Sequence, residues 1–200
     1  TGVSVFFKKH LIFADSVRMG GDHVTGDISM GLQIPTAAAE RIKTLYGGAM
    51  ATGMDHREMI ETDGNSGDWE HDRRQVSRSE LIGIIRPRME EILEDVRDRL
   101  DAAGFDNLPG KQIVLTGGAS QIPGLDGLAA RILGQHVRLG RPIRVQGLPQ
   151  AATGPAFSGV VGLALNAANP QDEWWDFEVP QPQIVGRPLR RAMRWFRDNW

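Results

Sequence analysis

The spacing of apolar and polar positions predicts short strands and helices along most of the chain. Apolar runs and alternating patterns are typical of strands, whereas an apolar residue at every third or fourth position is typical of a helix. We predict strands at 3–7, 11–17, 56–61, 113–115 and 137–139, and helices at 24–32, 35–45, 124–133 and 156–168. The last of these helices is apolar enough to be buried. The polar residues Lys8, Lys9 and His10 indicate a hairpin turn, and residues 63–72 indicate a loop.

A longer helix is predicted to begin after Ser77 and to end at Gly104. Glu80 follows Ser77 by three positions, and such a pair has the pattern of a capping box. Pro87 lies inside the helix and is expected to kink it. The buried stripe of this helix is expected to consist of Leu81, Ile85, Met89, Ile92, Val96 and Leu100.

The last fourteen residues, 187–200, have the pattern of an amphipathic helix that lies on a membrane. One face is apolar and the other carries arginines, a composition that favours anionic lipid. The apolar stripe comprises Leu189, Ala192, Met193, Phe196 and Trp200, the cations are Arg190, Arg191, Arg194 and Arg197, and Trp195 lies on the flank. The alternative is a terminal helix that packs against the body of the protein itself.

Such a helix can hold a protein on a membrane only weakly. Each large apolar side chain that it buries contributes roughly 1.5–3 kcal/mol, whereas each ordered residue costs roughly 1–2 kcal/mol of backbone entropy. Several linked copies would gain roughly 100-fold or more in avidity. The terminal segment therefore indicates a protein that assembles.

Composition limits the classes of function open to the chain. The net charge of −2 argues against general nucleic-acid binding, so no nucleic-acid partner is expected. The chain contains no Cys, which excludes disulfides, thiolate metal sites and cysteine nucleophiles within it and fits a reducing cytoplasm. The five His show no metal-ligand spacing. No signal peptide is visible, and the apolar run 156–168 is too short to span a bilayer.

One motif carries a chemical implication: the turn 116–120, Thr-Gly-Gly-Ala-Ser, which follows the predicted strand 113–115. Glycines directly after a buried strand let the backbone approach a ligand, and the amides that follow can face a phosphate or a ribose. A tight turn between a strand and a helix explains the same residues without any ligand. On the residues alone, both interpretations stay open.

The eleven residues 115–125 (LTGGASQIPGL) resemble the adenosine loop of the actin, heat-shock chaperone and sugar kinase superfamily. More specifically, they resemble the FtsA family of bacterial cell-division proteins. Further segments resemble this family in the same order along the chain: 20–28 (GGDHVTGDI), 39–43 (AERIK), 85–93 (IRPRMEEIL), 138–142 (RLGRP), 147–148 (GL) and 154–157 (GPAF). With the amphipathic terminal segment, the resemblance covers almost the whole chain.

The resemblance implies an ATP site, with Mg²⁺ accompanying the nucleotide in the full-length protein. The residues so implied are Gly117, Gly118 and Ala119 near the ribose and phosphates, Glu40 and Lys43 beside adenine and ribose, and Gly20 and Gly21 at the border of the cleft. The alternative for the two charged residues is an exposed helix face with solvated charges. The alternative for the first glycine pair is a plain turn before a helix.

The fold class implied by the resemblance is α/β: the second half of an actin-like (ribonuclease H-like) ATPase fold. It would have a mixed sheet flanked by helices, a disordered linker and a C-terminal amphipathic helix. Residues 1–19 and 77–168 would belong to subdomain 2A, 20–76 to subdomain 2B, 169–186 to the linker and 187–200 to the membrane helix. The linker segment contains three Pro and four acids, which is linker composition.

Part of the family's machinery is expected upstream, in a longer protein. Thr1 and Gly2 look like the last residues of the family's second phosphate loop, and there is no initiator Met. The first phosphate loop, the acidic residue that positions metal and water, and the subdomain peculiar to FtsA would precede them. This chain would then contribute one side of the nucleotide cleft.

The function implied by the resemblance is that of an actin-like, ATP-binding cell division protein. It would tether the FtsZ ring to the cytoplasmic face of the cell membrane at the division site and help to assemble the divisome. Its partners would be the C-terminal tail of FtsZ, further copies of itself in polymers, an anionic membrane surface and other division proteins. ATP hydrolysis is expected to be at most slow in the full-length protein and absent from this chain alone.

The candidates for attracting an acidic peptide are Arg73, Arg74 and Arg78. The competing interpretation is that they belong to a solvated loop.

Three other functions share parts of this pattern. A small-molecule kinase of the same superfamily would need a sugar-binding acid, which the sequence does not show, and would not need the terminal helix. A pilus-assembly actin homologue would bind ATP but is not expected to end in an Arg/Trp amphipathic helix. A membrane-binding scaffold without a nucleotide is the third.

Overall fold

The computed structural model describes residues 1–63, 73–105, 112–134, 136–142 and 145–169. The chain divides into two compact units, Thr1–Leu165 and Asn166–Trp200. The predicted terminal helix, and the linker beyond Asn169, lie outside the described residues, so both stay predictions. Within the described ranges, no helix has the length and apolarity needed to cross a bilayer.

The chain begins with the predicted β-hairpin. β1 (Gly2–Phe7) pairs antiparallel with β2 (His10–Ser16). Lys8 and Lys9 form the turn with φ angles of 48° and 74°. Positive φ at both central residues is the pattern of a type I′ turn, whose twist matches that of the two strands.

Two helices and a second hairpin follow. The helices are α1 (Gly21–Leu32) and α2 (Thr36–Tyr46), which confirm the predicted pair to within three residues. The hairpin consists of β3 (Met59–Asp63) and β4 (Arg73–Ser77), which pair antiparallel. The predicted strand at 56–61 is thus shifted towards the C-terminus.

Strand β4 is not predicted by the sequence pattern, because Val76 is its only apolar residue. In the structure Val76 pairs with Ile60 across the hairpin, and both side chains are buried. A strand with one buried position carries too little alternation to be recognised from sequence alone. The strand becomes recognisable only when Val76 is seen to pair with Ile60.

α3 (Arg78–Ala102) is the long helix that the apolar stripe predicts. The Ser77 hydroxyl accepts a hydrogen bond of 3.2 Å from the backbone N–H of Glu80, which confirms the predicted cap. The helix continues through Pro87, and the kink stays a prediction. Its buried residues are Leu81, Ile82, Ile85, Met89, Ile92, Leu93 and Val96, whereas Leu100 is only half-buried.

The C-terminal part contains a parallel β-α-β unit. It consists of β5 (Gln112–Leu115), α4 (Leu125–Leu133) and β6 (His136–Leu139). Residues Gly118–Gln121 form one turn of 3-10 helix between β5 and α4, and α5 (Ser158–Ala168) ends the described part. The described strands thus form two antiparallel pairs and one parallel pair among helices, which confirms the predicted mixed α/β class.

One hydrophobic core joins the four helices α1 to α4 with the second hairpin. Its large buried members include Val24, Ile28, Ile34, Ile42, Ile60, Leu81, Ile85 and Leu128. Burial of each such side chain contributes roughly 1.5–3 kcal/mol. The shared core therefore sets the positions of α1 and α2 relative to the turn after β5.

A bidentate ion pair also ties α1 to the middle of α3. The guanidinium of Arg88 donates to the two carboxylate oxygens of Asp27 over 2.5 and 3.0 Å, and to Glu91 over 2.6 Å. The hydrogen bond to Asp27 raises the pKa of Arg88, although its partial burial acts in the opposite sense. Because the paired side chains are only 28% and 22% exposed, salt screens this pair less than an open surface pair.

The prediction that 156–168 forms a buried helix is wrong with respect to burial. α5 forms, but Val161 is its only buried residue, while Val160, Leu163 and Leu165 remain 61%, 72% and 43% exposed. Apolar composition leads to burial only where other elements cover each side of a helix. The described residues cover only the side that carries Val161.

Thr62 on β3 is expected to lower stability. Thr62 is only 1% exposed, and its hydroxyl has no hydrogen-bond partner in the described part of the chain. The buried Thr25, by contrast, has hydrogen bonds to the Gly21 carbonyl and to Glu40. A buried polar group without a partner costs about 1–3 kcal/mol. We therefore expect Thr62→Val to raise the free energy of unfolding by about 1 kcal/mol and the control Thr25→Val to lower it.

Urea denaturation of the full-length protein measures both effects. A loss of stability in Thr62→Val comparable to that in Thr25→Val would contradict this account.

Candidate functional site

Three segments that are distant in sequence meet beside the start of α1. A Cβ atom placed on Gly21 would lie 3.1 Å from the Cβ of Ala119 and 3.9 Å from the ammonium nitrogen of Lys43. The start of α1, the C-terminal half of α2 and the turn after β5 therefore border one another. We call this place the cleft, and it comprises Gly20, Gly21, Glu40, Lys43, Gly117, Gly118 and Ala119. The three segments that carry the site residues predicted from sequence thus meet there.

The ammonium group of Lys43 is buried in this cleft, with 8% of the side chain exposed. It donates to the Thr25 hydroxyl over 2.7 Å and to the Gly21 carbonyl over 3.2 Å, and it pairs with Glu40 at 2.5 Å. A buried ammonium without such acceptors would be strongly unfavourable. The interpretation of Lys43 as a solvated charge on an exposed helix face is therefore wrong.

The carboxylate of Glu40 lies at the edge of the cleft, with 53% of the side chain exposed. Partial burial acts to raise its pKa, but hydrogen bonds from Lys43 and Thr25 and the charge of Lys43 outweigh this effect. The pKa of Glu40 is therefore lowered from its ordinary value. One carboxylate oxygen is bound to Lys43 and Thr25, while the other has a longer contact of 3.5 Å with the Thr44 hydroxyl. This second oxygen can accept a hydrogen bond from a ligand hydroxyl.

The turn after β5 presents backbone rather than side chains. Gly117 has a φ of 95°, a conformation that glycine adopts without steric cost. A Cβ on Gly117 or Gly118 would meet no atom within 4 Å, so the space beside the turn is open. A ligand could approach the main chain closely there.

This turn is held in place by hydrogen bonds that it donates to the start of α5 and to the 3-10 helix Pro155–Phe157 before it. The N–H of Gly117 donates to the Pro155 carbonyl over 3.0 Å, and the Thr116 hydroxyl donates to the Ser158 hydroxyl over 2.7 Å. The Ser120 hydroxyl donates back to the Gly117 carbonyl over 2.7 Å. The backbone of the turn is therefore preorganised before any ligand arrives.

Sequence reasoning missed Thr25, the hydroxyl that joins α1 to the Lys43 ammonium. It lies one helical turn after Gly21, and its residue is 4% exposed. A single Thr on the buried side of an amphipathic helix gives no signal in the apolar pattern. Thr25 does lie within the segment 20–28 that resembles the FtsA family, and this was an available indication.

The three arginines proposed to attract an acidic peptide do not belong to a solvated loop. Arg73 and Arg74 lie on β4, and Arg78 is the first residue of α3. Arg78 pairs with Glu58 at 3.0 Å and with the buried Asp55 at 3.3 Å. Its charge is therefore compensated locally, and the loop interpretation is wrong.

The remaining site predictions concern metals and lipid. Among the described residues, no three His, Cys, Asp or Glu side chains come close enough to hold a metal ion. The membrane-binding residues predicted at 187–200 lie outside the described residues. The three segments of the cleft lie side by side, and their role in binding a nucleotide stays a prediction.

The sequence is similar to FtsA proteins of several bacteria. It is 47% identical over 165 residues to the cell division protein FtsA of Agrobacterium fabrum, covering 82% of this chain and 37% of that protein. It is 32% identical over 205 residues to FtsA of Pseudomonas aeruginosa, covering 100% of this chain and 48% of that protein. For FtsA of Bacillus subtilis the identity is 34% over 186 residues, covering 92% of this chain and 40% of that protein. The chain spans less than half the length of these relatives.

The fold is similar to that of MreB5 of Spiroplasma citri, solved in complexes with ADP and with AMPPNP. The TM-scores are 0.53 and 0.55 at 15% identity, and the alignments cover 80% and 84% of this chain and 47% and 52% of those chains. This likeness shows an actin-like fold.

The family model "Cell division protein FtsA" matches residues 1–162. Together with the identities to the bacterial relatives, this match shows that the chain belongs to the FtsA family.

Proposed function

We propose that the protein containing this chain is an actin-like, ATP-binding scaffold that tethers the FtsZ ring to the cytoplasmic face of the cell membrane. It would act at the division site and help to assemble the divisome. The observation that carries the proposal is the meeting of Gly21, Lys43 and Ala119 in one cleft. Membership of the FtsA family supports the role in division. In this proposal the cleft lies where subdomain 2A (1–19 and 77–168) borders subdomain 2B (20–76).

The chemistry of the cleft fits a nucleotide. The bare backbone at Gly117 and Gly118 leaves room for a ribose or a phosphate. Glu40 has a pKa below its ordinary value and an exposed oxygen, so it can accept hydrogen bonds from ribose hydroxyls. The ammonium of Lys43 is shared among three acceptors, so we assign it to positioning Glu40 and Gly21 rather than to a phosphate.

The neighbouring MreB5 structures, which hold ADP and AMPPNP, support the same class of ligand. Mg²⁺ would accompany the phosphates, and no described residue is assigned as its ligand. ATP binding would favour polymers of the protein. Hydrolysis would be at most slow in the full-length protein and absent from this chain alone.

Membrane attachment would come from the terminal segment 187–200. Its stripe of Leu189, Met193, Phe196 and Trp200 is flanked by Trp195 and by arginines that suit anionic headgroups. One copy would bind weakly and reversibly, whereas a polymer would gain roughly 100-fold or more from linked copies. Assembly and attachment would therefore be coupled.

The C-terminal tail of FtsZ would dock on residues 20–76. In this region Met50, Met54 and Met59 are 42%, 67% and 52% exposed. Methionine side chains adapt to varied apolar partners, so such a surface suits a short peptide. Arg57, which is exposed in the same region, suits an acidic one.

Gly118→Val should weaken nucleotide binding without disturbing the fold. A Cβ on Gly118 meets open space, so the new side chain would occupy the room proposed for the ribose or phosphates. We expect the affinity of the full-length protein for a fluorescent ATP analogue to fall about tenfold or more, which is about 1.4 kcal/mol. The matched control is Gly83→Val on α3, an exposed glycine outside the cleft residues where a Cβ also meets open space. Equal affinities of the two variants would count against the cleft.

Phe196→Glu combined with Trp200→Glu should release the full-length protein from membranes. A charge in the apolar stripe cannot be buried among acyl chains without a large cost. Co-sedimentation with vesicles rich in phosphatidylglycerol measures the effect, and we expect most of the bound protein to be lost. The control is Trp174→Glu with Trp175→Glu, which makes the same chemical change in the linker. If both pairs of substitutions behaved alike, the stripe would not be the anchor.

A further inference from the structure

We infer that the turn of the first hairpin is a second contact with an anionic lipid surface, separate from the terminal segment. The hairpin tip comprises Phe6, Phe7, Lys8, Lys9 and Ile12. The inference goes beyond the proposed function, because it assigns membrane contact to the folded body of the protein. It would stand even if the terminal segment did not bind lipid.

Large apolar side chains are exposed together at the hairpin tip. Phe6, Phe7 and Ile12 are 63%, 59% and 44% exposed. They lie within a few residues of one turn, on the two strands that the turn joins. Single exposed apolar residues are ordinary on a protein surface, but a group of large ones is typical of an interaction site.

The part of the same hairpin behind the tip is packed on the body of the protein. The ring of Phe13 lies 5.3 Å from that of Phe105, centroid to centroid, and Arg99 of α3 donates to Asp15 over 2.7 Å. The hairpin is therefore anchored at its base. Its exposed end is a supported projection rather than a poorly packed segment.

A bulge lies next to the turn and changes the direction of the side chains. Val5 pairs with Phe13 and Phe6 pairs with Leu11, so Ile12 is left as the extra residue on β2. A bulge breaks the strict alternation of the two faces and re-aims nearby side chains. Here it adds a third exposed apolar residue to the two phenylalanines.

The turn itself carries lysines at a conformational cost. Lys8 and Lys9 both have positive φ, a region that Asn and Gly occupy far more readily in this kind of turn. Strained backbone that persists at a surface position is a reason to look for a function of its side chains. The Lys8 ammonium lies 5.5 Å from the centroid of the Phe7 ring, so cation and aromatic ring are presented side by side.

This combination of groups matches the interface of an anionic membrane. Aromatic rings and lysine stems can enter the headgroup region while the ammonium groups stay among lipid phosphates. A peptide that adds to a strand edge binds through main-chain hydrogen bonds. The groups exposed at this tip are instead aromatic and aliphatic side chains beside two lysines, which suit a lipid interface. We therefore assign the tip to a lipid surface rather than to an acidic peptide.

The test uses four forms of the full-length protein, each with and without residues 187–200. The first is the unchanged sequence, and the second is Phe6→Ser with Phe7→Ser, which removes the apolar part of the tip. The third is Lys8→Asn with Lys9→Gly, which removes the charge and relieves the strain. The charge control is Arg131→Gln with Arg138→Gln, which removes the same two positive charges at two exposed positions outside the hairpin.

Binding is measured with vesicles of phosphatidylglycerol and with neutral phosphatidylcholine vesicles. We expect both tip variants to lower the apparent affinity for phosphatidylglycerol vesicles by roughly tenfold, with the charge control close to unchanged. The Lys8→Asn, Lys9→Gly form should at the same time have a higher melting temperature, because its turn is less strained. A variant that becomes more stable and binds lipid less well cannot have lost binding by unfolding.

Several results would overturn the inference. One is unchanged vesicle binding by both tip variants, with or without residues 187–200. Another is that the tip variants change how the protein sediments without vesicles but leave vesicle binding unchanged. The tip would then be a contact between copies of the protein. A third is a change confined to the binding of an acidic peptide. Failure of the terminal segment to affect vesicle binding would count against the proposed function only.

Discussion

The organisation of the site depends on how one buried ammonium group is neutralised. Lys43 reaches from α2 to α1, where its acceptors are the carbonyl of Gly21 and the hydroxyl of Thr25, and Glu40 supplies the opposite charge. An unpaired buried cation is strongly unfavourable, so moving any of these acceptors away from the ammonium group would cost stability. The constraint fixes the start of α1, and with it the closest approach between Gly21 and the turn at Ala119.

The two sides of the cleft are built by different means. On the helical side, charges and a hydroxyl are satisfied within the protein and act as a rigid frame. On the side of the turn, the glycines carry no side chains that would fill the space beside the backbone. Hydrogen bonds to Pro155 and Ser158 hold the backbone of the turn in place. A ligand that enters this cleft would meet groups that need little rearrangement, which favours binding by reducing its entropic cost.

The sequence predicted the elements whose pattern lies within one segment. It missed those that can be recognised only from the residues they pack against or pair with. α3 was predictable because a long apolar stripe and the Ser77 cap lie in one segment. β4 was not, because its one buried residue becomes informative only opposite Ile60. α5 was predicted as a helix but not with its exposure, since composition does not say which sides are covered. In the cleft, the motifs led to Gly117 and Lys43, while Thr25 gave no pattern of its own.

Ion pairs join α3 to other parts of the fold near its start, its middle and its end. With 25 residues it is about 37 Å long, and arginines near its start, middle and end bind the segment just before β3, α1 and the first hairpin. The helix therefore connects the first hairpin and the segment before β3 to α1, the helix that borders the cleft. One rigid element of known length thus sets the separation between these two parts of the fold.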